Sequence, residues 1–87
     1  MTPMTRTERK KFITKLRKAK KMALRNVGSV WAGQYALFDV GLLDRVYVDP
    51  NGTGHTSTAQ FLEANGATAK NIAAIFDNSI AAQEALL

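Results

Sequence analysis

The sequence predicts a small all-α protein, a bundle of three to four helices with a basic amphipathic N-terminal helix and a helix-turn-helix-like C-terminal pair. Three observations carry this. Apolar residues recur at spacings of three and four along much of the chain, the period of a helix face. Ser57 and Thr68 stand as N-caps ahead of two such runs, with Gly66 between them. At 87 residues, 46% hydrophobic and 22% charged, the chain has the make-up of a single small domain over residues 1–87.

The first helix is expected over residues 5 to 26. Phe12, Leu16, Ala19, Ala23 and Val27 form its apolar stripe, flanked by Ile13 and Leu24. Thr5 followed three residues later by Glu8 fits a capping box. Lys10, Lys11, Lys15, Arg17, Lys18, Lys21 and Arg25 lie outside the stripe, whereas Arg9 and Lys20 intrude on it. The helix either packs by this stripe or projects as a basic arm. Glycines at 28, 33 and 41 each cost a helix interior about 1 kcal/mol relative to Ala. They place a break between residues 26 and 29 and a second helix over 29 to 38. Its aromatics Trp31, Tyr35 and Phe38 recur at helical spacing, and the reading favours core over base stacking for them.

Residues 42 to 48 fit either a helical turn or a strand, because Val46, Tyr47 and Val48 favour extended structure; a short hairpin near 44–56 is one outcome. The run from Asp49 to Gly54 is a turn, with Pro50 restricting φ and Asn51-Gly52 suited to left-handed positions. Ser57 with Gln60 opens a helix running to about 64, and Gly66 ends it. Thr68 caps a last helix over 69 to 85, with Ile72, Ile75, Phe76, Ile80 and Leu87 as its stripe. The segment 58–76 resembles a helix-turn-helix, with Gly66 at the turn, Phe61 and Ala67 at apolar positions, and Ile72 and Ile75 packing the second helix. It departs from that pattern at Leu62, where a small residue is usual, and at polar Asn65. Its second helix offers only Lys70, Asn71 and Asn78 as donors, and acidic Asp77 stands beside them, so a packing unit is favoured over a base reader.

Charge is the strongest functional signal. Residues 1–25 hold ten of the twelve basic side chains against Glu8 alone, a net of +9, while residues 26–87 carry a net of −4. Segregation of this kind points to a polyanion as partner, and nucleic-acid phosphates are the densest of these. The residues expected to touch phosphate are Arg6, Arg9, Lys10, Arg17, Lys18, Lys21 and Arg25. The expected function is therefore non-enzymatic binding of DNA or RNA with little sequence preference. The alternative is a protein-binding regulator, inhibitor or assembly factor that meets a partner, an acidic protein or a second copy, through the charged helix and a C-terminal helix face of Ile72, Phe76 and Ile80. Either would suit a phage or bacterial regulator.

Other chemistries find little support. The absence of cysteine removes disulfides, thiolate metal sites and cysteine nucleophiles. With no apolar run of membrane-spanning length or signal core, it suggests a reducing, cytoplasmic setting and no membrane partner. The Asp49, Asn51, Thr53 and Gly54 spacing outlines a calcium loop, but its twelfth position holds Gln60 where a bidentate Glu is needed, so no metal is expected. His55 is the sole histidine, and its hydroxyl neighbours are better used in turns and caps. Neither a catalytic residue nor a cofactor is expected.

Overall fold

The computed structural model of the protein describes residues 4–25, 32–49 and 51–87. Four helices and one small hairpin occur among them: α1 (Arg6–Arg25), α2 (Ala32–Asp39), β1 (Tyr47–Val48), β2 (Gly54–His55), α3 (Thr58–Asn65) and α4 (Ala69–Glu84). The all-α reading and the short hairpin both hold. The expected break at 26–29, the start of the second helix and Trp31 lie outside the described residues.

The capping box at the head of α1 closes in both directions. Glu8 N–H donates to Thr5 Oγ1 at 3.1 Å, and Thr5 N–H donates to Glu8 Oε1 at 3.2 Å. Two otherwise orphaned backbone donors are thereby satisfied. Downstream, Ile13, Leu16 and Ala23 are buried, with Phe12, Ala19 and Leu24 packed around them. The helix is thus a full member of the fold, packed on α2 and α4, and not a projecting arm. Its stripe meets Ile72, Ile75, Phe76 and Ile80 of α4 in one core with Leu37, Phe61 and Leu62.

Helix α2 ends in a Schellman motif. Gly41 takes φ 72°, its N–H donates to Phe38 C=O at 3.0 Å, and Leu42 N–H donates to Leu37 C=O at 2.8 Å. A left-handed residue at this point is what glycine permits. Leu37 and Leu42, the apolar pair that accompanies the motif, are both buried. This stop sets the phase of the helix and corrects the expected aromatic core. Leu37 and Val40 face inward, so Tyr35 and Phe38 turn outward and stand 65% and 62% exposed.

A second correction concerns Ile72, Phe76 and Ile80. Expected at a partner interface, they are instead 2%, 0% and 8% exposed and lie in the chain's own core. The alternative function loses that surface. Leu87, expected on the same stripe, is exposed beyond the end of α4.

The ambiguity over residues 42–48 resolves into a turn followed by β1, which pairs antiparallel with β2 through Tyr47 with His55 and Val48 with Gly54. Asp49 organises the connection. Its Oδ1 accepts from Asn51 N–H at 2.9 Å and Thr53 N–H at 3.0 Å, and its Oδ2 accepts from His55 Nε2 at 3.0 Å. The Asp49 oxygens that outlined a calcium loop are therefore engaged by the hairpin itself. Gly52 supplies the left-handed position at φ 87°. Phe61 anchors the hairpin to α3, with ring centroids 4.7 Å from Tyr47 and 5.1 Å from His55.

Helix α3 receives its first turn from this region. Ser57 Oγ accepts from Gln60 N–H, while Thr58 and Ala59 N–H groups donate to the Arg45 and Leu43 carbonyls. The Gln60 side chain reaches past Ser57 to Thr56, accepting from both its N–H and its hydroxyl at 2.7 Å. Gly66 ends the helix at φ 95°, and Thr68 caps α4 by accepting from Asn71 N–H.

Phe76→Ala should cost about 3–5 kcal/mol, a large share of the about 5–15 kcal/mol typical of a folded domain, read as a lower denaturant midpoint. In the hairpin, the hydrogen bond from His55, then those from Thr53 and Asn51, hold the Asp49 carboxyl below its ordinary 3.8, against burial, which pushes it up. A depressed folded value stabilises the protein above pH 3.8, and that contribution is lost as pH falls through the folded value. Asp49→Ala should therefore lower the urea midpoint at pH 6, and the gap to the wild type should narrow towards pH 3.

Candidate nucleic-acid interface

Ten cations on one helix face two different fates, and their angular positions decide which. At 3.6 residues per turn, Lys10, Lys11, Lys15, Lys18, Lys21 and Arg25 fall within an arc of about 140°, centred opposite Ile13, Leu16 and Ala23. All six are exposed, as is Arg6 at the first turn. Among the described residues none of these seven has an ion pair. From Lys10 to Arg25 the arc extends about 22 Å along the helix axis.

The remaining three cations are drawn onto α4. Arg9 and Lys20, the two that intrude on the apolar stripe, reach polar partners on α4: Arg9 donates to Gln83 Oε1 and Lys20 Nζ pairs with Asp77 Oδ1 at 2.6 Å. Long aliphatic stems allow such residues to cover apolar surface while the charge finds a partner. Arg17 pairs with Glu84 Oε2 at 3.0 Å on the exposed side of the same seam. Lys20 and Arg17 border a shallow groove of about 660 Å³ between α1 and α4, with Lys18 and Lys21 along its outer lip.

Of the seven cations expected at a phosphate site, Arg6, Lys10, Lys18, Lys21 and Arg25 are exposed and without an ion pair among the described residues. Arg9 is a correction: it is half-buried and hydrogen-bonded within the fold. Arg17 is exposed but already carries a counterion in Glu84. Lys11 and Lys15 join the arc and were missed as site residues, although their positions outside the stripe were the signal that places them there.

The arc is electrostatically costly as it stands. Lys11, Lys15, Lys18, Lys21 and Arg25 follow one another at three- and four-residue spacings, and each such like-charge pair costs about 0.2–0.5 kcal/mol. Arg6 and Arg9 also oppose the positive end of the helix dipole, with Glu8 as the one acid in the first turn. An anion laid along the arc would relieve both effects.

The helix-turn-helix resemblance ends as a packing unit. Asn71 Nδ2 donates to the Gly66 and Asn65 carbonyls, Asn78 Nδ2 donates to Val48 C=O, and Asp77 pairs with Lys20. Of the donors that could have read bases from α4, only Lys70 is left exposed with no such bond among the described residues. Likewise, His55 is used in the hairpin, against Asp49 and Phe61. No described helix is long and apolar enough to cross a membrane.

No protein-family model, curated protein or solved structure matches the chain.

The two α1–α4 ion pairs lie largely in solvent, where such pairs contribute about 0–1 kcal/mol. Replacing Asp77 by Asn and Glu84 by Gln should therefore shift the thermal midpoint little, while releasing Lys20 and Arg17 from their counterions. A loss of cooperative unfolding in that double variant would show that the pairs, and not the apolar stripe, hold α1 down.

Proposed function

We propose that the protein binds nucleic acid without acting as an enzyme, through phosphate contacts made by the outer face of α1. One observation carries this reading: seven exposed cations without ion pairs among the described residues, six of them on a single arc opposite the core. Phosphates at the density of a nucleic-acid backbone match such a row. A duplex carries one charge per about 1.7 Å of axis, and displaced counterions supply the affinity. Contacts of this kind position a protein on the backbone and carry no base information, so little sequence preference is expected.

The measurement is a titration against a random-sequence DNA duplex and an RNA of equal length at two salt concentrations. Binding should be micromolar or tighter at low salt and fall steeply as salt rises. Replacing Lys10, Lys18 and Lys21 by Ala should reduce the slope of log K against log salt by about 0.9 for each duplex phosphate no longer neutralised. The Asp77→Asn, Glu84→Gln variant should bind more tightly than the wild type. Absence of binding at low salt, or an unchanged slope in the lysine variant, would reject the α1 site and direct the search to an acidic protein.

A further inference from the structure

We propose that α1 seats lengthwise in the major groove of duplex DNA, with the phosphates of the two strands along its two flanks. This rests on the reading of α1 as a phosphate site and names the class of nucleic acid it takes. The first support is how much of the helix is open. Every residue of α1 that falls in a sector of about 180°, from Arg17 round through Thr14 and Lys18 to Glu8, is exposed, while α2 and α4 pack on the helix from the core side. Half the girth of a helix about 10–12 Å across fits within a groove about 12 Å wide and about 8.5 Å deep. The arc from Lys10 to Arg25, about 22 Å long, is also shorter than one duplex turn of about 34–36 Å.

The second support is where the charge lies within that sector. Lys10 and Lys21 stand at one side of the arc and Lys11 and Lys15 towards the other, and all four are exposed without an ion pair among the described residues. Lys10 and Lys15, about 140° apart, are separated by about 10 Å across the helix surface. A single strand offers one line of phosphates and would engage one flank, whereas the walls of a major groove engage both. An RNA duplex has two such walls, but its major groove is deep and too narrow for side chains to read. The acids of α4 do not obstruct this seat: Asp77 and Glu84 are paired with Lys20 and Arg17, outside the arc. Lys18 and Arg25 lie near its midline, towards the groove floor, where guanine O6 and N7 accept hydrogen bonds.

The test compares a mixed-sequence DNA duplex with a DNA single strand and an RNA duplex of equal length. One variant replaces Lys10 and Lys21 by Ala, another Lys11 and Lys15. All four side chains are exposed and Ala is the strongest helix former, so circular dichroism should be unchanged. On the DNA duplex each pair should lower the slope of log K against log salt by about 1.8, two contacts at about 0.9 each, and the four-lysine variant by the sum. The single strand and the RNA duplex should bind more weakly at equal salt. Bound protein should shield guanine N7, in the major groove, from dimethyl sulfate and leave adenine N3, in the minor groove, reactive. A slope that responds to one flank only, equal affinity for the single strand or the RNA duplex, or unshielded guanine N7 would overturn the groove seat while leaving the phosphate site standing. Loss of binding to all three probes at low salt would instead remove the phosphate site, and the groove seat with it.

Discussion

The seam between α1 and α4 is the interaction on which the rest of this small protein depends. A helix with ten cations repels itself, and its isolated helical tendency is opposed by that charge. What holds it in place is a narrow apolar stripe in which Leu16 is fully buried, set into the same core as fully buried Phe76. Burial of side chains of this size is worth roughly 1.5–3 kcal/mol each, more than any one like-charge pair along the outer face costs. The stripe therefore does two things at once: it closes the core, and it fixes which cations face water.

That orientation sorts the cations without any need for a dedicated binding loop. Cations that share the stripe's side of the helix meet the acidic and amide side chains of α4, as Lys20 meets Asp77 and Arg9 meets Gln83. Residues on the far side have no ion pair among the described residues. The negative charge of residues 26–87 is consequently used in part along the seam, and the arc from Lys10 to Arg25 remains a concentrated positive surface. A polyanion bound there would complete the neutralisation that the fold leaves undone.

The hairpin contributes by position. Asp49 gathers three hydrogen bonds, and Phe61 packs against Tyr47 and His55, so the loop between the helices becomes an ordered support for the start of α3. Its polar groups look like chemistry in a linear reading, yet they are consumed in making a turn. The same holds for Asn71 and Asn78, whose amides close the α3–α4 turn and tie α4 to β1. Polar side chains near backbone breaks serve the backbone first, because unpaired N–H and C=O groups are expensive to bury.

Local signals were legible in the sequence wherever neighbours in the chain decide the outcome. The Thr5–Glu8 box, the Ser57 and Thr68 caps, the Gly66 stop and the Asp49–Gly54 turn depend on hydrogen bonds between residues close in the chain. The α1 stripe and its cationic face follow from helical period alone. Tertiary structure decided what period cannot. Tyr35 and Phe38 had the spacing of a core stripe, but Gly41 and the Leu37–Leu42 pair rotated α2 so that they face solvent. Ile72, Phe76 and Ile80 had the look of an interface until α1 covered them, and Arg9, which helical period already set on the stripe, found its partner only in Gln83 far along the chain. An amphipathic pattern states that a face is to be buried, whereas the partner that buries it is set by packing between elements far apart in the chain, as α1 and α4 are here.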